Sequence, residues 1–166
     1  AEGNPLYSAK DGLLYNKEKT AVLFCPRGRT EAVIPEGVTE IQGHAFSGCS
    51  SLKTVEIPEG VTEIGDEAFE NSGLTEIYIP GSVKIIDETW NLFRGCKNLQ
   101  KIEVSEENEV YYAEGNCLIN RGDRRVVAGC DVSVIPEGIE EIGERAFHGC
   151  GFESIELPET LVTIGR

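Results

Sequence analysis

The sequence predicts an α/β solenoid made mostly of short β-strands, with one short helical turn per repeat and two inserted β-hairpins. Three observations predict it: a proline that recurs at a nearly fixed interval, apolar columns that follow each proline, and two segments that depart from the interval in the same way. A fixed period of about 20 to 50 residues is typical of architectures in which each repeat stacks on its neighbours.

The recurring proline always follows an aliphatic residue. The pairs are Ile34-Pro35, Ile57-Pro58, Ile79-Pro80, Ile135-Pro136 and Leu157-Pro158. The first three prolines are 23 and then 22 residues apart, and the last two are 22 apart. Because proline cannot donate a hydrogen bond to a β-ladder, each pair is predicted to end a short strand whose alternate residues face the core.

Further apolar columns follow each proline. They comprise Val38, Val61, Val83, Ile139 and Leu161, then Ile41, Ile64, Ile86, Ile142 and Ile164, and then Ala45-Phe46, Ala68-Phe69, Phe93 and Ala146-Phe147. We expect a second short strand at the aliphatic columns and one helical turn at the Ala-Phe stretch. The third unit differs because Trp90 and two extra residues are inserted before Phe93.

Two segments depart from this period and match each other at a constant offset of 104 residues, as from Asn4 to Asn108. Each is predicted to be a β-hairpin with a polar tip, at Lys17-Glu18-Lys19 and at Arg121-Gly122-Asp123-Arg124. We therefore expect a single solenoid over residues 1–166. Its parts are hairpin modules at 4–28 and 105–129, repeats at about 29–51, 52–73, 74–98 and 130–151, and a truncated repeat at 152–166.

The two ends of the sequence also carry information. The first residue, Ala1, is not Met, no basic and then apolar signal region follows it, and Arg166 falls inside a repeat. We therefore expect the chain to be a segment of a longer protein.

The charge of the chain argues against several classes of partner. It has 15 Lys and Arg against 29 Asp and Glu, a formal net charge of −14. Its field therefore repels nucleic-acid phosphates and anionic lipid headgroups. Because no apolar run approaches the roughly 18 to 20 residues that cross a bilayer, we expect no nucleic-acid partner and no direct membrane insertion of this segment.

The sequence resembles the BspA-like leucine-rich repeats of bacterial surface and secreted proteins, which have relatives in some protists. The resemblance rests on residues 57–69, their copies at 34–46 and 135–147, and the hairpin at 115–119, and it covers nearly the whole chain. It implies a curved right-handed leucine-rich-repeat solenoid on a bacterial cell surface or secreted, with a role in adhesion to a host matrix or cell-surface protein. The resemblance does not identify a ligand, because the matching residues form the scaffold of the fold.

Six cysteines suggest disulfides, but their spacing favours buried thiols. Cys49, Cys96 and Cys150 share one column, and Ser72 occupies that column between the first two. At the spacing of strands the first two would lie roughly 10 Å apart, beyond the limit of about 7 Å between the Cα atoms of a bridge. One bridge, or a reactive Cys25 or Cys117, is the alternative.

No residue pattern in the sequence indicates catalysis, a cofactor or a metal. The only histidines, His44 and His148, occupy different positions of the repeat, so no recurring site places them together. No cluster of Cys and His has the spacing of a zinc site. Glu36 and Glu59 share a column that could hold a divalent cation, but a solvated acidic face is the more common outcome.

One hairpin tip carries the tripeptide Arg121-Gly122-Asp123, which is of the type that integrins read. Gly-Asp is also ordinary turn chemistry, and the other hairpin has an unrelated polar tip. An adhesive loop and a simple turn are both open at this point.

A ligand is expected where the outward residues of successive strands align. The candidate ligand-binding residues are Thr54, Glu56, Glu76, Tyr78, Lys101 and Glu103, continued by Val134 and Glu156. Tyr78 among carboxylates predicts an anchor for a basic or mixed-charge protein surface, because aromatic residues concentrate binding energy at interfaces. A solvated sheet face without a ligand is the alternative.

Two functions fit these observations. The first is a non-catalytic protein-binding or adhesion module of a secreted or cell-surface bacterial protein. The second is a structural spacer that positions another domain outside this segment. An enzymatic function would require an activity that is lost when His44 or His148 is substituted.

Overall fold

A computed structural model describes residues 3–165 and shows a β-solenoid with no helix in that range. Ala1 and Glu2, at the start of the predicted solenoid, and Arg166, at the end of the predicted truncated repeat, lie outside the described residues. The strands are β1 (Tyr7–Lys10), β2 (Leu13–Asn16), β3 (Ala21–Phe24), β4 (Glu31–Val33), β5 (Glu40–Ile41), β6 (Thr54–Glu56), β7 (Glu63–Ile64), β8 (Glu76–Ile79), β9 (Ile85–Ile86), β10 (Lys101–Val104), β11 (Tyr111–Glu114), β12 (Cys117–Asn120), β13 (Arg125–Gly129), β14 (Glu141–Ile142) and β15 (Thr163–Ile164).

Each turn of the solenoid, here called a rung, can contribute two short strands, one on each side of the proline. The first strands form one wall, in which β4 is parallel to β6 and β8 is parallel to β10. Between these two pairs, the Thr75 N–H donates to the Lys53 carbonyl at 3.0 Å. The second strands form another wall, in which β3, β5, β7 and β9 are parallel neighbours. The proline therefore separates two walls that enclose the core.

The predicted strands before the last two prolines do not form. The segments before Pro136 and Pro158 belong to no strand. The Val134 N–H donates to the Gly115 carbonyl at 2.7 Å, so the first of these segments lies beside the second hairpin instead of beside β10. The following rung then has no strand to pair with at this position. The prediction of a strand at every proline is therefore wrong for these two repeats.

The Ala-Phe stretches are turns, and the prediction of a helical turn in each repeat is wrong. Alternate N–H groups of the turn donate to the next rung, as from Phe46 to the Ala68 carbonyl at 2.8 Å, and those between them bond within the turn, as from Ala45 to the Gln42 carbonyl at 3.1 Å. A helix would use the same groups to bond carbonyls four residues earlier. In addition, His44 has a φ of 61°, and a left-handed residue interrupts a right-handed helix. Hydrogen bonds between rungs, together with tight turn bonds to carbonyls three residues earlier, therefore replace those of a helix.

Both predicted hairpins are present, and they keep the offset of 104 residues strand by strand. Each is an antiparallel three-stranded unit, formed by β1, β2 and β3 and by β11, β12 and β13. The irregularity in pairing also recurs, between Leu14 and Tyr15 and between Leu118 and Ile119. The third strand of each unit pairs in parallel with the next rung, β3 with β5 and β13 with β14. Each hairpin thus leads directly into the wall of second strands.

The second hairpin also completes the end of the sheet that finishes at β9. The Tyr111 hydroxyl accepts the Ile86 N–H at 3.1 Å. Asn108 is 2% exposed, and its side-chain amide donates to the carbonyls of Pro80 at 2.9 Å and Val83 at 3.0 Å. Side chains of the hairpin therefore provide hydrogen-bond partners for β9 and for the turn before it.

The insertion in the third unit makes a second connection across the hairpin. Asn91 is fully buried, and its side-chain amide donates to the carbonyls of Gly129 at 3.2 Å and His148 at 3.3 Å. Just before it, the Trp90 N–H donates to Asp66 Oδ1 at 2.9 Å. The extra residues thus bond to rungs on both sides of the hairpin.

The core follows the predicted columns up to the last rung, where Ile164 is 57% exposed. Val38, Val61 and Val83 are fully buried, and the rings of Phe46 and Phe69 stack with their centroids 5.4 Å apart. Stability in such a stack comes from interfaces between neighbouring rungs.

Replacing Phe69 with Ala tests these interfaces. Phe69 is fully buried, so the loss of its ring is expected to lower the free energy of unfolding by about 3 to 5 kcal/mol. Urea denaturation followed by circular dichroism measures the loss. In the control Phe24→Ala, the ring is 46% exposed and the expected loss is at most about 1 kcal/mol. Equal losses in the two variants would contradict the stacked core.

Candidate functional site

The outward residues of the first strands form one continuous surface, which we call the strand face. Its residues are Glu31 and Val33 of β4, Thr54 and Glu56 of β6, Glu76 and Tyr78 of β8, and Lys101 and Glu103 of β10. They form two rows, because Glu31 pairs with Thr54 and Glu76 with Lys101, while Val33 pairs with Glu56 and Tyr78 with Glu103.

The structure brings all six candidate ligand-binding residues together on this face, and all six are exposed. Tyr78 is 48% exposed and is the one aromatic residue among those that define this face. Val134 and Glu156 do not extend the rows, because the segments that carry them form no strand. The strand face therefore ends at β10.

Carboxylates dominate the electrostatics of the strand face. Glu56 and Glu103 occupy the row of Tyr78, whereas Glu31 and Glu76 occupy the other row. Lys101 Nζ lies 2.8 Å from Glu103 Oε1, and this hydrogen bond raises the pKa of Lys101. The one cationic side chain of the face is thus paired within it, and the unpaired charges are negative.

Tyr78 lies between two depressions. One, with a volume of about 440 Å³, extends from Tyr78 to Ser105, Glu106 and Ala113 at the second hairpin. The other, of about 270 Å³, extends from Tyr78 across Glu76 to Thr54 of β6. A partner could therefore contact the tyrosine ring from both sides.

Part of this surface was missed by sequence reasoning. Val33 is 54% exposed in the row of Tyr78, and Ala113 belongs to the hairpin that borders the face. The alignment of the Ile34-Pro35 pair with Ile57-Pro58 could have indicated Val33. Nothing in the repeat indicates that the hairpin packs beside β10.

Thiols of the cysteine column donate hydrogen bonds to backbone carbonyls. All six cysteines between residues 3 and 165 are free thiols, and five are buried. The Cys49 thiol donates to the Cys25 carbonyl at 3.3 Å and the Cys96 thiol to the Phe69 carbonyl at 3.0 Å, each on the preceding rung. Burial raises the pKa of Cys117 to about 12, which argues against the reactive thiol considered from the sequence.

The two histidines lie in different surroundings. His44 Nδ1 lies 3.7 Å from Glu67 Oε2 and 3.8 Å from Glu70 Oε2. These three residues are the only group of three possible metal ligands with mutually close donor atoms in residues 3–165. The His148 ring instead packs against Trp90, with ring centroids 5.3 Å apart. His44 and Glu67 are one repeat apart, 23 residues, which is the signal that sequence reasoning did not use.

The Arg121-Gly122-Asp123 tip is bound to its own hairpin. Arg121 Nε donates to the carbonyls of Asn108 at 2.9 Å and Tyr111 at 3.1 Å, and its guanidinium lies over the Tyr112 ring. Asp123 accepts a hydrogen bond from Arg125 at 3.0 Å. Because the side chains of Arg121 and Asp123 both make contacts within the hairpin, the structure favours a simple turn over an adhesive loop.

Among residues 3–165, no helix has the length and apolar character needed to cross a membrane.

Comparison with known families gives a match over most of the chain. A family model described as a BspA type leucine rich repeat region matches six copies, over residues 22–122 and 129–166. No curated protein matches the chain.

Several solved bacterial structures share the fold. A leucine rich cell surface protein from Faecalibacterium prausnitzii is 33% identical over 81% of this chain and 37% of its own, with a TM-score of 0.69. A leucine-rich repeat protein from Eubacterium ventriosum is 25% identical over 82% of this chain and 43% of its own, with a TM-score of 0.62. One from Bacteroides ovatus, 23% identical over 98% of this chain and 46% of its own, has a TM-score of 0.52. This chain therefore spans less than half the length of each.

The raised pKa values of the buried thiols predict low reactivity toward alkylating reagents. Burial raises the pKa of Cys117 and Cys150 to about 12, so about one such thiol in 10,000 is ionised at pH 8. We expect neither to react with iodoacetamide in the native protein at pH 8, and all six cysteines to react in denaturant, as measured by mass spectrometry. Labelling of native Cys117 at the rate of free cysteine would contradict this.

Proposed function

The chain belongs to the BspA-type leucine-rich repeat family, and from its strand face we propose that it is a non-catalytic protein-binding module of a bacterial cell-surface or secreted protein. The observation that carries the proposal is the half-exposed ring of Tyr78 between two depressions, surrounded by carboxylates. The name of the similar Faecalibacterium prausnitzii protein supports the proposed location.

The backbone of the strand face favours binding without a large entropic cost. Tyr78 and Glu103 lie on paired strands, and the neighbouring Ile77 and Ile79 are buried in the core. A backbone that is already ordered loses little conformational freedom when a partner binds. A tyrosine on such a scaffold offers both apolar area and a hydroxyl group, the combination that is common at the centre of interfaces.

The charges of the face indicate the chemistry of the partner. Glu56, Glu76 and Glu103 surround the tyrosine and offer acceptors to Lys and Arg side chains. We therefore propose a protein partner with a basic or mixed-charge surface, such as a host matrix or cell-surface protein, and a role in adhesion. Charges of this kind mainly increase the association rate and the specificity.

The proposal is tested with Tyr78→Ala. Binding of the chain to a panel of immobilised extracellular-matrix proteins is measured by surface plasmon resonance, and the variant is expected to bind any partner at least about tenfold more weakly, because interface aromatics are common hot spots. The matched control is Tyr7→Ala, since Tyr7 is 46% exposed but lies on the first hairpin. Raising the salt concentration from about 0.05 M to about 0.5 M should weaken binding through screening.

Two outcomes would overturn this assignment. An equal loss of binding affinity in both tyrosine variants would show that the strand face is not the interface. Absence of any binding by the wild-type chain would instead favour a structural spacer for a domain elsewhere in the protein.

A further inference from the structure

Three side chains from two neighbouring rungs converge beside the Ala-Phe turns. His44 belongs to the turn that follows β5, and Glu67 and Glu70 belong to the turn that follows β7. One imidazole nitrogen and two carboxylate oxygens lie within 4.8 Å of one another. We propose that these residues form a binding site for a divalent transition-metal ion, with Zn²⁺ as the ion that fits the donors best.

The distances are close to those of a bound ion. His44 Nδ1 is 3.7 Å from Glu67 Oε2 and 3.8 Å from Glu70 Oε2. Around a tetrahedral ion with bonds of about 2.1 Å, ligand atoms lie about 3.4 Å apart. Each carboxylate oxygen therefore needs to approach the imidazole by only about 0.3 to 0.4 Å. The His44 side chain is 58% exposed, so a small rotation can provide this movement.

The two carboxylates are already oriented toward His44. Arg94 Nε lies 2.6 Å from Glu67 Oε1 as an ion pair without hydrogen-bond geometry, and the Arg94 guanidinium also pairs with Glu70 Oε1. Arg94 thus occupies the Oε1 atoms and leaves both Oε2 atoms on the side of the imidazole. Ser47 Oγ fixes Glu70 further by donating to its Oε2 at 3.0 Å. Groups behind the ligands orient metal sites in the same way.

The burial of Glu67 is a second observation that points to a cation. Glu67 is only 6% exposed; its Oε1 faces Arg94, and its Oε2 faces His44. A buried carboxylate needs compensating charge, and Arg94 supplies one positive charge for the two negative charges of Glu67 and Glu70. With a neutral imidazole the group keeps one negative charge, which a divalent ion more than balances.

The donor set selects among ions. Ca²⁺ and Mg²⁺ prefer ligand sets made entirely of oxygen, whereas an imidazole with carboxylates suits Zn²⁺. Three protein donors leave a fourth position for water, because the open side of the site is the exposed side of His44. The site lies in the turns, so its occupancy is separate from binding at the strand face.

The site is tested by calorimetric titration of the metal-free chain with ZnCl₂. We expect one equivalent to bind to the wild type, and we expect His44→Ala and Glu70→Gln each to lower the affinity at least about tenfold. The matched control is His148→Ala, which removes the other histidine of the chain and should leave the affinity unchanged. CaCl₂ should not bind at comparable concentrations.

Two further measurements distinguish zinc binding at this site from zinc binding by the cysteines. Zinc should raise the melting temperature of the wild type and of His148→Ala but not of His44→Ala, because an ion that binds only the folded state stabilises it. Bound Co²⁺ should show the visible bands of nitrogen and oxygen ligands without the near-ultraviolet band of a thiolate ligand. Equal zinc affinity in His44→Ala and wild type, a thiolate band, or a loss of binding in His148→Ala would each overturn the proposal.

Discussion

Hydrogen bonds between the backbones of neighbouring rungs determine the rest of this structure. They connect the strands of both walls, and they also connect the Ala-Phe turns, as between Phe46 and Ala68. The contact is so close at some turns that a side chain cannot fit. A Cβ at Gly65 would meet the backbone of Gly43, and one at Gly73 would meet the Ser50 carbonyl. At these two positions the close approach of the preceding rung therefore requires glycine.

The columns of the repeat predict the core well, because burial follows from the chemistry of each side chain. Val61 and Phe69 are buried as their columns require. The predicted helical turn is wrong for a reason outside the local sequence, since the Phe46 N–H bonds to a carbonyl 22 residues away. The missing strand before Pro136 has a similar cause, because the hairpin occupies the position beside it. The periodic pattern predicts which side chains of a rung are buried, but it does not predict the hydrogen bonds that the rung makes with its neighbours.

The same distinction applies to the candidate sites. The rows of the strand face follow from strand alternation and from the repeat length, so Tyr78 and Glu103 could be placed side by side from the sequence. Ala113 borders the same surface only because a hairpin folds beside β10. The convergence of His44 with Glu70 depends on the path of two turns and on the ion pair that Arg94 makes. Positions in irregular segments are the ones that a repeat pattern does not specify.

The hairpin between β10 and β13 interrupts a rung without interrupting the stack. Tyr111 and Asn108 bond to the rung before it, and β13 pairs with the rung after it. An insertion held in this way is modular, because its outer strand can change in sequence while its few anchoring side chains keep the register on both sides. The scaffold can thus acquire a new wall beside the strand face at little cost to the fold, so the outline of that surface can change while the core stays the same.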